Sequence, residues 1–243
     1  MYFLKPYKDH RLISNKLLSL CEKKIINLKP NGLAKMNLSS YIITVLERLP
    51  DLELKRIQQL EPLSRYIFNK ISQGEAAALN FICTHNSRRS HLGQIWLQMA
   101  AAYYDIALVV AYSGGTEETA FNPRAVAALQ RAGFAVEAGT GENPRYKISN
   151  SLGNLHLVSF SKKYDHVENP KKEFCAVMTC SEADEACPVI FGANLRIKLL
   201  YEDPKSADGT DHERTAYDAR CFQIATEMFY VMKQVLTGLQ KIK

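Results

Sequence analysis

A chain of 243 residues, 47% of them hydrophobic and 23% charged, is long enough to bury a full core and has the composition of a globular protein. No uninterrupted apolar stretch reaches the roughly 18–20 residues that a membrane-spanning helix needs, so a membrane protein is not expected. Residues 1–29 carry scattered charged and polar side chains and lack the apolar block of a signal peptide, which predicts a cytoplasmic protein.

The net charge of +6 is concentrated in the N-terminal region. Residues 1–70 hold 13 Lys and Arg against 6 Asp and Glu, a net charge of +7, whereas residues 71–243 hold 18 against 19, a net charge of −1. Such a region can bind nucleic acid or an anionic membrane, or it can be the solvated face of helices. Because no aromatic–basic interleaving and no RNA-binding motif accompany the charge, we expect a solvated face, with neither nucleic acid nor membrane as a partner.

Apolar residues recur at helical spacing before residue 73, in three or four segments broken at Pro30, Gly32 and Pro50. The sequence therefore predicts a helical N-terminal extension over residues 1–73, which carries no catalytic constellation. These helices could also bind a partner or form a homodimer.

Strands and helices alternate after residue 74, which predicts an α/β domain over residues 74–243. A parallel sheet with helices on both faces is the usual result of such alternation, and ligands then bind at the carboxyl ends of the strands. The predicted elements are strands at 79–83 and 107–112, a helix at 123–132, strands at 134–137, 155–160 and 174–178, and a long closing helix at 217–239.

The apolar run at 79–82 leads directly into the segment 83–90, CTHNSRRS, in which Arg89 follows Cys83 by six positions. A strand that ends in a cysteine and continues through a short loop into a helix places the thiol among backbone N–H groups at the helix N-terminus. Such a ring binds tetrahedral oxyanions and favours the thiolate, which is the reactive form of cysteine. Arg89 would add a fork for two oxyanion oxygens. This segment therefore predicts nucleophilic attack by sulfur on a phosphate-like anion.

Six cysteines in 243 residues are too few for a structural disulfide framework. Cys180 and Cys187 are spaced too widely for a zinc-ligand pair, and no metal site is predicted. The acidic segment 181–186 between them favours a flexible loop, in which one thiol can reach the first nucleophile and the other can resolve the resulting disulfide. Two cysteines in a loop are also often incidental. Cys175 and Cys221 lie in an apolar strand and in the closing helix, where buried structural cysteines are expected.

Several segments follow one another in the order of a known family. The segment 83–90 resembles the nucleophile loop of low-molecular-weight tyrosine phosphatases and of the arsenate reductases that share their fold. The segment 178–188, MTCSEADEACP, is similar to the redox-cysteine loop of thioredoxin-coupled arsenate reductases, and 201–204, YEDP, resembles the family's general-acid element. The segments 113–116, SGGT, and 121–126, FNPRAV, match the family's second strand end and the helix after it. The resemblance covers residues 74–243 and implies a four-stranded parallel sheet in three layers.

The resemblance also implies a role for each residue. Cys83 would attack arsenate and form a thiol–arsenic adduct, and Asp203 would protonate the leaving oxygen. Cys180 would then attack Cys83 and expel arsenite, and Cys187 would attack Cys180 and carry the oxidation to the surface, where thioredoxin would reduce it. No tightly bound cofactor is implied. The oxyanion would be held by Arg89 and by the loop residues Thr84, His85, Asn86, Ser87 and Arg88.

Three polar residues would support the nucleophile in this resemblance. Asn86 would shape the loop, Ser90 would hydrogen-bond the thiolate, and Ser113 would brace Asn86 from the neighbouring strand. Asn86 and Ser90 could also cap the helix, and Asp203-Pro204 by itself is a common turn dipeptide. Gln94 stands where some of these reductases have a glutamate that helps to bind potassium, which removes a charge from that site.

Two functions remain open. An arsenate reductase would use all three cysteines, whereas a low-molecular-weight phosphatase-like phosphomonoesterase would need only Cys83, Arg89 and Asp203. The segment 205–209 lacks the aromatic residues with which such phosphatases recognise phosphotyrosine, which argues against a dedicated tyrosine phosphatase. The stretch 140–154 is longer than a compact reductase needs, and a hairpin beside the active site is expected there.

Overall fold

The computed structural model describes residues 37–151, 153–187 and 189–242. The helical segments expected before residue 37 lie outside the described residues. In chain order the elements are α1 (Leu38–Glu47), α2 (Leu54–Ser72), β1 (Ala77–Cys83), α3 (Arg89–Tyr103), β2 (Val109–Gly115), α4 (Pro123–Arg131), β3 (Ala135–Ala138), β4 (Tyr146–Ser149), β5 (His156–Ser159), β6 (Phe174–Met178), α5 (Ser181–Ala186), β7 (Ala193–Lys198) and α6 (Glu213–Lys241).

Four parallel strands form the central sheet in the order β2-β1-β6-β7, which confirms the predicted fold class. The inner strands β1 and β6 are apolar and almost completely buried, as expected for strands covered on both faces. The edge strand β7 has the mixed sequence ANLRIK and is only partly buried. Sequence reasoning missed β7 because an edge strand need not show a continuous apolar run.

The two faces of the sheet are covered unequally. On one face, Leu79 and Phe81 pack with Trp96 of α3 and Phe229 of α6 in the main core. On the other face, Ile82 and other strand residues pack with Ala183 of the six-residue helix α5 in a smaller core. Backbone of the segment 160–173 also covers this second face, since Tyr164 accepts a hydrogen bond from Asn80 at 3.0 Å. The second helical layer is therefore thin on the side that carries Cys180 and Cys187.

The strands predicted at 134–137 and 155–160 form as β3 and β5, but they are not part of the parallel sheet. Together with β4 they make a separate antiparallel sheet in the order β3-β4-β5. Strand β4 lies within the stretch 140–154, and this stretch is linked to the nucleophile loop through Asn143 and Ser161. The side-chain amide of Asn143 donates to the carbonyl of Ser161 at 2.8 Å, and the Ser161 hydroxyl donates to the carbonyl of His85 at 2.9 Å.

Helices α1 and α2 contribute to the main core rather than to a core of their own. Leu38 and Ile42 of α1, and Leu60 and Ile67 of α2, are buried in one cluster with residues of the sheet, α3 and α6. The division of the chain near residue 73 and a homodimer through the N-terminal helices stay predictions.

Within the described residues, none of the helices is sufficiently long and apolar to cross a lipid bilayer.

Candidate active site

The nucleophile loop connects the end of β1 to the first turn of α3. Cys83 is the last residue of β1 and is 4% exposed, and α3 begins at Arg89. The loop is packed tightly against the end of β2, where a Cβ at Gly115 would lie only 2.6 Å from the carbonyl of Thr84 and 2.7 Å from the amide of Asn86. Glycine is therefore required at this position for the loop to close around its centre.

A directed chain of hydrogen bonds ends on the sulfur of Cys83. The side-chain amide of Asn86 donates to the Ser90 hydroxyl at 2.8 Å, and this hydroxyl lies 3.1 Å from Cys83 Sγ. Because the Ser90 oxygen already accepts from Asn86, its own hydrogen is free to point at the sulfur. A hydroxyl donor at this distance stabilises the thiolate more than the thiol.

Asn86 is itself held in place at its other side-chain atom. Its backbone has a φ of 43°, in the left-handed region that asparagine tolerates better than most residues. The backbone amide of Lys162 donates to Asn86 Oδ1 at 2.9 Å. The expected brace from Ser113 is wrong, because this hydroxyl contacts other groups and the segment that precedes β6 supplies the brace instead.

Ser113 belongs to a buried polar cluster behind the loop. Its hydroxyl donates to Gln94 Oε1 at 2.8 Å and lies 3.1 Å from His91 Nδ1. Gln94 Oε1 also accepts from the Ser159 hydroxyl at 3.2 Å. Burial, together with the nearby charge of Lys162, lowers the pKa of His91 well below its usual value, so the imidazole is neutral. His91 is fully buried and stacks on Phe121.

The other loop residues fix the loop through their backbone and side chains. The carbonyl of Thr84 accepts from the amide of Glu117 at 2.8 Å, and the Ser87 hydroxyl donates to the carbonyl of Ala120 at 2.7 Å. The side chain of His85 is half-exposed and lies 3.5 Å from the Glu117 carboxylate. These contacts tie the loop to the segment after β2, which keeps its amides in a fixed arrangement.

Arg89 and Asp203 lie 114 positions apart in the sequence and are hydrogen-bonded to each other in the fold. Arg89 Nη2 donates to Asp203 Oδ2 at 2.7 Å, and Nη1 donates to the carbonyl of Tyr201 at 2.9 Å. The Arg89 Nε is buried and has no hydrogen-bond partner among the described residues. Asp203 Oδ1 accepts from the amide of Lys205 at 3.0 Å, so the carboxylate is fixed at both oxygens. Nε therefore has its N–H available for an oxyanion, and Nη1 and Nη2 each keep a second N–H.

Arg88, which the resemblance places among the residues that hold the oxyanion, lies beside the same carboxylate. Its Nε donates to the Tyr217 hydroxyl at 2.9 Å, and that hydroxyl donates to Asp208 Oδ1 at 2.8 Å. Arg88 Nη1 lies 3.8 Å from Asp203 Oδ2, which places two guanidinium groups at one carboxylate oxygen. Nothing in the sequence indicated Tyr217 or Asp208, because neither lies in a recognisable motif.

An open cleft of about 460 Å³ lies in front of these residues. It is lined by the polar and charged residues Thr84, His85, Arg88, Arg89, Glu182, Asp203, Lys205 and Ser206. The cleft is rimmed mainly by charged and polar groups, which suits a small hydrated anion better than an apolar ligand. No group of three or more His, Cys, Asp or Glu side chains in the described residues is arranged to hold a metal ion.

Cys180 is buried next to the nucleophile loop, whereas Cys187 lies farther out. The Cys180 sulfur is 3.4 Å from the Thr84 hydroxyl, and burial raises the pKa of its thiol although that hydrogen bond acts in the opposite direction. Cys180 precedes the first residue of α5 and Cys187, which is half-buried, follows the last. The segment between them is therefore a short helix and not the flexible loop that its composition suggested.

Two ion pairs fasten α5 to the edge strand β7. Asp184, 7% exposed, lies 2.5 Å from Arg196 Nη2 and 2.7 Å from Lys198 Nζ. Burial opposes the charge of Asp184, but hydrogen bonds from Lys198 and Arg196 hold its pKa below the usual value. All five cysteines in the described residues are free thiols.

Comparison with known proteins identifies relatives that match just over half of the chain. The chain is 29% identical over 146 residues to the arsenate reductase of Bacillus subtilis, and the matched segment makes up 60% of this chain and 87% of the relative. It is 27% identical over 137 residues to the arsenate reductase of Halalkalibacterium halodurans, where the matched segment makes up 56% of this chain and 80% of the relative. The predicted resemblance to arsenate reductases is thus confirmed at this level of similarity. No protein-family model matches the chain.

Solved structures with a related arrangement were also found. An arsenate reductase in its phosphate-binding state has a TM-score of 0.44 at 14% identity, covering 66% of this chain and 99% of that structure. A low-molecular-weight phosphotyrosine phosphatase from Vibrio cholerae has a TM-score of 0.43 at 14% identity, covering 65% of this chain and 95% of that structure.

Proposed function

We propose that this protein reduces arsenate to arsenite through a relay of Cys83, Cys180 and Cys187. The observation that carries the proposal is the position of Cys180, a second buried thiol 3.4 Å from the loop residue Thr84. Hydrolysis of a phosphate ester has no use for a second thiol. Reduction needs one, because two electrons must enter the substrate and leave a disulfide in the protein.

In the first step the Cys83 thiolate attacks the arsenic of arsenate, forming an S–As bond. The bond from arsenic to one oxygen breaks, and Asp203 supplies a proton so that this oxygen leaves as water. The loop amides and Arg89 hold the remaining oxygens. Ser90 favours the attacking thiolate through the hydrogen bond that its hydroxyl directs at the sulfur.

In the second step the Cys180 sulfur attacks Cys83 Sγ, and a disulfide forms while the S–As bond breaks. The electron pair of that bond stays on arsenic, which leaves as arsenite. Cys187 then attacks Cys180, which frees Cys83 and moves the disulfide to the pair Cys180–Cys187. Each exchange requires that the attacking sulfur be a thiolate.

The last exchange requires α5 to change its conformation. Seven residues in a helix separate their Cα atoms by about 10 Å, whereas a disulfide needs a separation below about 7 Å. We infer that α5 unwinds by about one turn when Cys187 reaches Cys180. Its length of six residues and its position on the thinly covered face of the sheet favour such a change.

We further propose that a dithiol protein such as thioredoxin reduces the Cys180–Cys187 disulfide. Cys187 is half-buried, and two large apolar side chains next to it face solvent: Val189 is 62% exposed and Phe191 is 84% exposed. Apolar side chains beside a surface disulfide favour recognition by another protein over reduction by a small thiol. No cofactor of the protein's own enters this scheme.

The test is arsenite formation with thioredoxin, thioredoxin reductase and NADPH. Cys187→Ser should stop after one turnover with a Cys83–Cys180 disulfide, identified by mass spectrometry, and Cys180→Ser should release no arsenite. Cys175→Ser is the matched control, because Cys175 is equally buried but lies in β6 away from the loop. Undiminished turnover of Cys187→Ser would refute the relay.

Phosphomonoester hydrolysis is the second candidate, since Cys83, Arg89 and Asp203 by themselves suffice for it. The pairing of Arg89 with Asp203 is equally suited to both reactions. Hydrolysis of para-nitrophenyl phosphate separates the two functions. Fast turnover that survives Cys180→Ser would favour the phosphatase, whereas trace turnover beside efficient arsenate reduction would favour the reductase.

A further inference from the structure

A buried ion pair connects the N-terminal helical region to helix α6. Arg56 of α2 donates to both carboxylate oxygens of Glu227, from Nε to Oε1 at 2.8 Å and from Nη2 to Oε2 at 2.8 Å. The Glu227 side chain is 1% exposed and that of Arg56 is 17% exposed. A bidentate arginine–carboxylate pair removed from water in this way fixes both side chains in one geometry.

The same carboxylate holds the side chain of Tyr201. The Tyr201 hydroxyl donates to Glu227 Oε2 at 2.7 Å, and the Arg56 guanidinium lies 4.8 Å from the centre of the Tyr201 ring. Tyr201 is 4% exposed. Arg56 therefore holds this tyrosine twice, directly through the face of the ring and indirectly through Glu227.

The backbone of Tyr201 is part of the active site. Its carbonyl accepts from Arg89 Nη1 at 2.9 Å, and its amide donates to the carbonyl of Thr179, next to Cys180, at 3.1 Å. Asp203, which accepts from Arg89 Nη2, follows only two residues later. The position of Tyr201 thus sets the orientation of Arg89 and the position of the carboxylate that pairs with it.

Removing Arg56 would leave Glu227 as a buried carboxylate without a cation. Such a group becomes protonated or moves toward water, because an unpaired charge in a low-dielectric interior is strongly disfavoured. In either case the hydrogen bond from Tyr201 weakens and the cation over its ring is lost. Arg89 would then lose a fixed acceptor for one of its N–H groups.

We propose that Arg56 is a positioning residue for the oxyanion site, acting on Arg89 and Asp203 through Glu227 and Tyr201. The helical region before residue 74 is then a functional part of the catalytic unit. The proposal rests on the proposed function for the identity of the reaction. It can still be tested by anion binding alone, because Arg89 should bind phosphate and arsenate alike.

The experiment measures how inorganic phosphate protects Cys83 from alkylation by iodoacetamide in the full-length protein. Arg56→Gln should weaken the apparent affinity for phosphate by about tenfold, the loss expected for one misaligned charged hydrogen bond. Arg56→Lys, which keeps the charge beside Glu227, should recover most of that affinity. Tyr201→Phe should weaken it as well, and Arg56→Gln should add little further loss in that background.

Arg131→Gln is the matched control. Arg131 pairs with Asp218 and also joins a helix to α6, but it has no contact with Tyr201. This variant should lower the thermal midpoint by less, because its ion pair is more exposed, and should leave phosphate protection within about twofold of the wild type. If Arg56→Gln fails to fold, the comparison of wild type, Arg56→Lys and Tyr201→Phe still tests the proposal. The affinity for phosphate should be close to that of the wild type in Arg56→Lys and lower in Tyr201→Phe.

Phosphate protection that is the same in Arg56→Gln as in the wild type would overturn the proposal. An equal loss in Arg131→Gln would also overturn it, because the effect would then be one of general stability. The two proposals can fail separately. If the wild type forms no arsenite but the variants show the expected phosphate affinities relative to it, the proposed function is rejected and the positioning role is supported.

Discussion

Arg89 and Asp203 are hydrogen-bonded to each other at 2.7 Å across the mouth of the nucleophile loop. Arg89 Nε is the guanidinium nitrogen without a hydrogen-bond partner among the described residues. Nη2 carries a second N–H besides the one donated to Asp203, so an oxyanion that binds Nε and Nη2 lies next to that carboxyl group. This position suits a group that supplies a proton to the leaving oxygen.

Asp203→Asn keeps an oxygen that can accept from Arg89 but cannot supply a proton. We expect kcat to fall by about 10²-fold or more, as for loss of a general acid, while phosphate still protects Cys83 from alkylation. Steady-state kinetics with arsenate and with para-nitrophenyl phosphate would measure this. Asp211→Asn, at an exposed position of the following turn, is the control and should have wild-type kcat. A normal kcat in Asp203→Asn would exclude this residue as the acid.

Ser90→Ala removes the hydroxyl that lies 3.1 Å from Cys83 Sγ. Because that hydrogen bond favours the thiolate, alkylation of Cys83 by iodoacetamide at pH 7 should slow by about tenfold, the effect of roughly one charge-assisted hydrogen bond. Ser64→Ala, which removes a buried hydroxyl bonded to Leu60 in α2, should not change the rate. Equal alkylation rates for Ser90→Ala and the wild type would show that the thiolate depends on the loop amides alone.

Asp184→Asn should loosen α5, because Asp184 anchors this helix to Arg196 and Lys198. In the proposed relay α5 unwinds when Cys187 reaches Cys180, so formation of this disulfide should become faster, by about three- to tenfold for a loss of roughly 1 kcal/mol. The measurement is the rate of oxidation by diamide in a Cys83→Ser background, followed by mass spectrometry. Glu185→Gln, on the exposed side of α5, serves as the control. An unchanged or slower rate in Asp184→Asn would mean that α5 does not limit the exchange.

The buried His91 should make the protein less stable as the pH falls below 7. Its folded-state pKa lies well below the usual 6.5, so below pH 6.5 the unfolded chain binds a proton that the folded protein does not. The free energy of unfolding should therefore decrease from about pH 7 toward pH 5, by up to about 1.4 kcal/mol per pH unit. Urea denaturation of the wild type and His91→Asn would measure it. A variant with the same pH slope as the wild type would contradict the assignment.

Lys162→Met should stabilise the protein at neutral pH. Burial lowers the pKa of Lys162 from 10.5 to about 8, so below pH 8 the folded protein holds a charge that water would solvate better. Relative to Met, this costs about 1–3 kcal/mol at pH 7, allowing for the Phe160 ring 4.6 Å from Nζ. The advantage of Lys162→Met should shrink as the pH rises from 8 to 10.5, because the folded protein is then neutral at this position and the unfolded chain progressively loses its proton as well. Denaturant unfolding at pH 7 and 10 measures both values, and no gain at pH 7 would contradict the prediction.

Local features of the sequence were sufficient to predict the parallel sheet, with the nucleophile loop following β1. A buried apolar strand, a short polar loop and an amphipathic helix are each specified by neighbouring residues, and their order dictates the parallel connection. The spacing from Cys83 to Ser90 likewise fixes which side chains meet within one turn. The edge strand β7 was missed because only one of its six residues is fully buried.

The contacts that join distant parts of the chain were decided only by the tertiary structure. Lys162 and not Ser113 braces Asn86, and Arg56 reaches Glu227 across 171 positions. Such pairs produce no periodicity, because each is set by how strands and helices pack and by the need of every buried polar atom for a partner. The sequence by itself thus determined the position of the loop between Cys83 and Ser90 and predicted Cys83 as its nucleophile, whereas the packing decided which residues hold that loop and its arginine in place.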